Sequence, residues 1–328
     1  MAVTLAQASL NAVTDLDLSI IDEFRTNPLL ELMIFDDAVN PIGGGGVMTY
    51  GYRRQITAPT ANFRAINSEY TPAEVTTQLY TVSLTPLGGS FEVDRVVARI
   101  GPAATSAVTH QLQQKIKATQ ALFGDAVING DSAVTANSFD GLSKALVGTS
   151  TEDTAVYDLT GAQDQTWGFK VLNVLDELLS KLDGGANVIM GNKKAINLFR
   201  AAARVTSQYV REPGPRNSYF ERYGAGGPLF VDAGLKAGSA LDVVPVNVDG
   251  DPRGDGPLVA GSTAVYAARI GLDGFHAVST MGGDLVKTWL PDFTTAGAVK
   301  KGEVELGPVG VALKATKAAA VMRNVKVQ

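Results

Sequence analysis

The chain has 328 residues, of which 45% are hydrophobic and 19% charged, so it is long enough to build two sizeable cores. It has no cysteine, which excludes disulfides and thiol chemistry, and its net charge of −5 argues against a dedicated nucleic-acid-binding protein. No apolar run approaches the roughly 20 residues that a membrane-spanning helix needs, and the N-terminus lacks the basic segment of a secretory signal.

The N-terminal segment is predicted to be an arm that packs on another surface. Its apolar residues indicate two short helices, Leu16–Arg25 and Leu29–Val39. The glycine run Gly43–Gly46 follows them and precedes a strand, so we interpret it as a hinge and not as a phosphate-binding loop.

Charge is distributed unevenly between the two ends of the chain. Residues 1–45 carry seven acidic side chains and one arginine, whereas residues 300–328 carry six basic and two acidic side chains. Both segments are interpretable as solvated faces. The alternative is that the acidic arm binds the basic region of a neighbouring copy, with charge setting the register of the contact.

Residues 47–93 are predicted to be extended. Tyr50, Tyr52 and Arg54 alternate with smaller or more polar residues, and so do Tyr80 and Val82, which is the period of a β-strand. The stretch between these strands predicts a wide tip. Because an isolated two-stranded ribbon is marginal in water, we expect this excursion to be covered by a partner surface.

A long amphipathic helix is predicted over residues 104–128. An apolar stripe at steps of four and seven supports it, formed by Val108, Leu112, Ile116, Phe123 and Val127. Asn129, Gly130 and Asp131 end the helix with turn chemistry, and a polar loop then closes on residues 139–142.

Residues 151–284 are predicted to be a separate α/β unit, and residues 285–328 to return to long strands. The predicted helices of the unit are Thr166–Leu182 and Lys193–Arg204, with a loop at 211–228 and a hairpin turn at Leu272–Gly274. The predicted strands are 187–190, Leu241–Val248, Leu258–Ala260, Ala264–Ile270, Phe275–Ser279, Leu285–Leu290, Val299–Leu306, Val309–Ala315 and Ala319–Val327.

No motif for catalysis, cofactor binding or metal binding is found. The two histidines, His110 and His276, are assigned structural or surface roles, because there is neither a cysteine nor a zinc-binding His-Glu-x-x-His spacing. A nucleophile elbow and a phosphate loop are both lacking. The loop 249–256 resembles a calcium loop, yet Arg253 occupies a ligand position, so a turn-rich loop is favoured over a weak cation site.

Four groups of residues carry a family resemblance through their order and spacing. They are 120–125 with 129–131 and 139–142; Val188–Asn192; 259–262 with Tyr266 and 270–271; and 303–305 with 309–311 and 317–321. With the arm, the extended loop and the long helix, this order resembles the tailed-bacteriophage major capsid protein family, which has the Hong Kong 97-like fold.

The resemblance implies an α+β fold and a division of the chain into parts. It implies an N-terminal arm at 1–45, an extended β-hairpin loop at 46–93, a peripheral domain with a spine helix at 94–150, an axial α/β domain at 151–284, and closing peripheral strands at 285–328.

The same resemblance implies a function and partners. The chain would be a structural, non-enzymatic subunit that assembles as hexamers and pentamers into an icosahedral head shell. That shell would be made in the cytoplasm of a bacterial host and become the virion capsid. It would enclose double-stranded DNA, which the subunit contacts only weakly.

Two departures from the family pattern add expectations. Some members cross-link their shells through a lysine on the extended loop, but residues 46–93 contain no lysine, so that bond is not expected. The short N-terminal segment predicts that scaffolding is a separate protein and, if the mature chain keeps Met1, that no propeptide is removed. The family resemblance adds a portal as a partner and leaves a decoration protein as an open alternative.

Two other functions are weighed against the viral shell. One is an encapsulin-type compartment of the same fold, which packages protein cargo. The other, less favoured, is an α/β enzyme or ligand-binding protein that uses residues 151–284, where no convergent polar groups are found.

Overall fold

The computed structural model describes residues 29–38, 46–100, 107–213, 219–246, 259–280 and 285–328. Its helices are α1 (Leu29–Leu32), α2 (Val97–Ile100), α3 (Ala107–Asn129), α4 (Leu142–Leu146), α5 (Gln165–Ser180) and α6 (Lys193–Val205). Its strands are β1 (Phe35–Asp37), β2 (Thr49–Gln55), β3 (Thr77–Ser83), β4 (Thr85–Asp94), β5 (Glu152–Asp158), β6 (Val188–Gly191), β7 (Tyr209–Pro213), β8 (Tyr219–Tyr223), β9 (Leu229–Asp232), β10 (Ser262–Ala268), β11 (Phe275–Ser279), β12 (Val286–Trp289), β13 (Val299–Leu313) and β14 (Ala319–Lys326).

The long strand β13 organises a five-stranded sheet. The sheet runs in the order β1-β11-β13-β12, and β4 also pairs with β13. The register of β4 against β13 shifts between Leu306 and Val309, so the predicted break at Gly307 and Pro308 is a bulge within one continuous strand.

A seven-stranded sheet has the order β5-β14-β10-β6-β9-β8-β7. Its central strands are buried on both faces, which explains their nearly continuous apolar sequence. On β10, Tyr266 faces the core shared with α3 and the five-stranded sheet, while Val265 faces the core under α5 and α6. The two cores therefore meet through a single sheet.

Helix α3 confirms the predicted long helix, and residues 101–106 lie outside the described residues. Phe123, Val127 and Ile128 near its C-terminal end are fully buried. Val108 and Leu112 in its first turns are only half-buried, so the predicted stripe enters the core at one end and lies at the surface at the other.

Helices α5 and α6 confirm the predicted pair within two residues at each end. Asp164 caps α5 by accepting a hydrogen bond from the Trp167 backbone N–H, and Asn192 caps α6 in the same way with Lys194. Val171, Leu175 and Leu178 are fully buried, as the apolar period predicts. No helix in the described ranges is long and apolar enough to cross a bilayer.

The predicted helix Leu29–Val39 is wrong beyond its first turn. The segment forms α1 and then the strand β1, because Phe35–Asp37 pairs in parallel with β11. Phe35 also stacks on Phe123 of α3 with ring centroids 5.9 Å apart. Tertiary pairing overrides the helical period here.

Other predicted elements are also corrected. The loop at 211–228 contains strand β8 and the end of β7, which pair antiparallel. Strands β10 and β11 lie in different sheets, so Leu272–Gly274 connects two sheets and is not a hairpin turn. Residues 241–246 contribute only an isolated bridge at Asp242, and residues 259–260 form no strand.

The sheets cross the predicted domain boundaries. Strand β4, which falls almost wholly within the predicted extended loop, belongs to the five-stranded sheet, and so does β11 from the predicted axial domain. Strand β14, assigned to the peripheral strands, lies inside the seven-stranded sheet between β5 and β10. The chain returns to each sheet more than once, because strand pairing is set by burial and not by order in the sequence.

Candidate assembly surface

The hairpin of β2 and β3 is fixed to the rest of the subunit at its base. Seven residue pairs join the two strands antiparallel, from Thr49–Ser83 to Gln55–Thr77. The Tyr50 hydroxyl donates to the Asp36 carboxylate at 2.7 Å, and the Tyr52 hydroxyl donates to the Leu313 carbonyl at 2.9 Å. One face of the hairpin base therefore packs on β1 and on the end of β13.

Arg54 adds three hydrogen bonds to this base. Its guanidinium donates to the carbonyls of Leu313 at 2.7 Å and Lys314 at 3.0 Å, and to the Thr316 hydroxyl at 2.9 Å. The same guanidinium lies over the Tyr80 ring, 4.5 Å from its centroid. A planar group that donates several bonds while it stacks on a ring fixes orientation as well as position.

The apolar alternation at Val82 and Leu84, at the end of β3 and just beyond it, is covered by its own subunit. Leu84 is buried with Ala38, Val278 and Ala312, and Val82 packs against them. The expectation that this alternation needs a partner surface is therefore wrong for the hairpin base.

The hairpin tip, residues 56–76, is exposed throughout. Its apolar side chains project into solvent: Phe63 is 107% exposed, Ile66 91% and Tyr70 63%. In the described part of the chain the tip's hydrogen bonds stay within the hairpin, for example from the Ile56 N–H to the Thr76 carbonyl at 2.9 Å. A fixed base with an uncovered apolar tip is typical of a segment that docks on another molecule.

A polar cluster lies under the hairpin base, where four segments meet. His276 of β11 is fully buried, and its ring meets the Tyr50 ring edge-on with centroids 5.8 Å apart. The Asp36 Oδ2 atom lies 3.9 Å from His276 Nε2 and 3.7 Å from Lys314 Nζ. Partial burial disfavours the Asp36 carboxylate, but the Tyr50 hydrogen bond and the charge of Lys314 outweigh it and lower the pKa of Asp36.

The two ends of the loop after α3 are held together by ion pairs of Lys144 and by a hydrogen bond between two glycines. The Gly141 N–H donates to the Gly130 carbonyl at 2.8 Å, and a Cβ at Gly130 would lie 2.4 Å from the Phe139 carbonyl oxygen. Lys144 Nζ lies 2.6 Å from Asp131 and 2.9 Å from Asp140. Residues 129–131 and 139–142, which carry part of the family resemblance, thus hold the two ends of this loop together.

The acidic arm is only partly described, since residues 1–28 and 39–45 lie outside the described residues. The part from 29 to 38 packs on its own subunit, with Leu29 and Met33 in the core. Its Asp36 faces Lys314 of the same chain. The core contacts of this part lie within the subunit, and the expected contact of the arm with a neighbouring copy stays a prediction.

The remaining sequence candidates are placed as follows. His110 is half-buried on α3 and is not a member of the polar cluster that contains His276. The calcium-like loop 249–256 and most of the glycine hinge lie outside the described residues. Within the described ranges no three His, Asp or Glu side chains are placed to hold a metal ion. The sequence patterns did not reveal the cluster around Asp36, because its members come from four separate segments.

Comparison with known proteins gives structural matches only. No family model and no curated protein matches the sequence. The SrpI encapsulin of Synechococcus elongatus PCC 7942 is similar in structure, with a TM-score of 0.61 and 15% identity over 100% of this chain and 98% of that one.

Two phage structures are similar over nearly the same length. A chain of the capsid of Myoviridae phage XM1 has a TM-score of 0.56 and 11% identity, over 98% of this chain and 99% of the other. A chain of Mycobacterium phage Cain has a TM-score of 0.57 and 13% identity, over 99% of each chain.

Proposed function

We propose that this chain, which has the Hong Kong 97-like capsid fold, is a structural shell subunit that assembles with copies of itself. The observation that carries the proposal is the hairpin, whose base is fixed by Tyr52 and Arg54 while its apolar tip is uncovered. Such a tip covers its apolar side chains when it packs on a second subunit.

We extend the proposal to a viral head shell. In this form the subunit builds the hexamers and pentamers of an icosahedral capsid that encloses the double-stranded DNA of a tailed phage. Its partners are a separate scaffolding protein and a portal. The net charge of −5 supports weak contact with the packaged DNA.

An encapsulin-type compartment is the second candidate. The similarity to the encapsulin, with a TM-score of 0.61, favours it. The two functions differ in what the shell contains. Particles purified from the native host should hold nuclease-protected double-stranded DNA if the shell is viral, and a folded protein cargo if it is a compartment.

The assembly role of the tip is tested by deleting it. Replacing residues 58–74 with a short Gly-Ser turn leaves the fixed base intact, so we expect a folded chain that forms few shells. Electron microscopy and sedimentation measure the outcome, with the scaffolding protein supplied where the host encodes one.

A point-variant pair makes the test sharper. Phe63→Ser combined with Ile66→Ser removes the two most exposed apolar side chains of the tip, and Val134→Ser changes a strongly exposed valine on the loop after α3. We expect the tip variant to lose shells and the control to keep them. Normal shells from both the tip variant and the deletion would overturn the role of the tip.

A further inference from the structure

His276 occupies an unusual position for a titratable group. It is fully buried, and neither ring nitrogen has a partner at ordinary hydrogen-bond geometry among the described residues, although the Gly274 backbone interacts with the ring. Buried polar atoms are nearly always paired, so an imidazole without a well-formed partner beside a carboxylate marks a candidate functional group. The ring touches the base of the hairpin through Tyr50.

One oxygen atom connects this histidine to the hairpin. Asp36 Oδ2 accepts the hydrogen bond from the Tyr50 hydroxyl at 2.7 Å, and the same atom lies 3.9 Å from His276 Nε2. A shift of about 1 Å would bring the carboxylate within hydrogen-bond range of the ring. A neutral ring can donate to the carboxylate only when Nε2 carries its single proton, whereas an imidazolium always donates from Nε2 and adds the attraction of opposite charges.

We propose that His276 is an acid-sensitive switch at the hairpin base, in which its protonation draws the Asp36 carboxylate from the Tyr50 hydroxyl to the ring. The proton comes from solvent, and no covalent bond changes. Tyr50 then loses its hydrogen bond to β1, and the hairpin loosens from its own subunit. At neutral pH the ring is uncharged and the hairpin is held.

The charged groups around the ring oppose protonation on balance. Burial is the largest effect and lowers the pKa of His276, and the charge of Lys314 lowers it further. Asp36, the Gly274 backbone and Asp273 favour the charged ring and offset only part of this. Tyr50 faces the ring as well and carries no charge, since burial and the Asp36 carboxylate raise its pKa.

The direction of the pH effect follows from this balance. The folded pKa lies below the ordinary value of about 6.5, so the neutral ring contributes stability that is fully present above that value. The contribution is lost as pH falls from there towards the folded pKa. The switch therefore operates below the ordinary imidazole pKa of about 6.5.

Hydrogen exchange of the unassembled full-length chain tests the proposal. Peptides that cover β2 and β3 are compared between the wild type and His276→Phe at the same pH, so that intrinsic exchange rates cancel. We expect equal protection at pH 7.5. At pH 5.0 we expect the wild-type peptides to exchange at least about threefold faster than those of the variant, with α5 as an unaffected reference.

Tyr50→Phe gives an independent readout that does not require a core substitution. It removes the hydroxyl that competes for Asp36, so we expect fast hairpin exchange at both pH values and a higher titration midpoint for the His276 imidazole by NMR. Equal exchange in wild type and His276→Phe at pH 5.0 would overturn the switch. An unchanged His276 midpoint in Tyr50→Phe would do the same.

Discussion

Arg323 of β14 and Glu152 of β5 form a largely buried ion pair, with Arg323 Nε 2.7 Å from Glu152 Oε1 and side chains only 14% and 15% exposed. The same guanidinium donates to the hydroxyl and the carbonyl of Ser143 on α4. One arginine thus connects the edge of the seven-stranded sheet to the region that follows α3.

Removing the arginine should be costly. We expect Arg323→Met to lower the free energy of unfolding by about 3 kcal/mol, because Glu152 would stay largely buried without its cation. Urea unfolding of the unassembled chain measures this. Lys326→Ala is the control on the same strand, since its 3.6 Å pair with Asp158 is exposed and should contribute less than about 1 kcal/mol. Equal losses in the two variants would contradict the argument.

Tyr266 should tolerate loss of its hydroxyl. The side chain is fully buried and the hydroxyl has no partner in the described part of the chain. We expect Tyr266→Phe to raise the free energy of unfolding by up to about 1 kcal/mol, because an unpaired buried polar group is removed.

Tyr157→Phe is the matched control for Tyr266. The Tyr157 hydroxyl lies 2.9 Å from both the Asp153 and Glu177 carboxylates, so its removal should cost about 1 kcal/mol or more. Urea or thermal unfolding measures both variants. If both lose stability equally, the Tyr266 hydroxyl is not unpaired in solution.

We predict that replacing Gly141 with any larger residue destabilises the fold. A Cβ there would lie 2.6 Å from the Ala126 carbonyl oxygen and 2.7 Å from the Gly130 nitrogen. Its φ of −88° is ordinary, so the cost is steric, and we expect Gly141→Ala to destabilise by about 3 kcal/mol.

Gly185→Ala separates this effect from backbone strain. Gly185 has a φ of +77°, and a methyl group added there would meet no atom within 4 Å, so only the left-handed backbone opposes the change. We expect a loss of about 1 kcal/mol. Thermal unfolding of both variants gives the comparison, and a smaller loss for Gly141→Ala would refute the steric argument.

Shells of this protein should be held together noncovalently. The extended segment 46–93 carries Arg53, Arg54 and Arg64 and no lysine, and a protonated guanidinium is a poor nucleophile. Assembled particles boiled in detergent should therefore migrate as single chains on a denaturing gel. A ladder of covalent oligomers would refute this prediction.

The sequence predicted elements best where the deciding signals are local. For α5 and α6 the apolar period, the capping residue Asn192 and the stop at Gly184 all lie within or beside the segment itself. Their bounds were therefore close to those in the structure. The same holds for β2 and β3, whose two-residue period is strict.

Prediction failed where distant partners decide the conformation. Residues 35–37 form a strand because β11, which comes much later in the chain, lies beside them, so no local pattern distinguishes them from helix. Strands β7 and β8 are polar and contain Pro213. Cross-strand pairs such as Arg222 with Glu212 stabilise them, and these pairs are invisible without the register.

The candidate site was less predictable than the fold. The exposed tip follows from its composition, but the seating of Arg54 on the Leu313 and Lys314 carbonyls depends on contacts across 259 and 260 positions of sequence. The meeting of Asp36 and His276 likewise requires the parallel pairing of β1 and β11. The local sequence around His276 does not indicate that Asp36 lies beside it.

The position of β14 between β5 and β10 has a consequence for synthesis on the ribosome. Both flanking strands are translated before residues 319–326, so each waits with an unpaired edge until β14 emerges. The seven-stranded sheet cannot close before then, and non-local pairing of this kind is slow. A chain that terminates before residue 319 would lack β14, which joins β5 to the rest of the sheet, so such products would fail to complete the sheet.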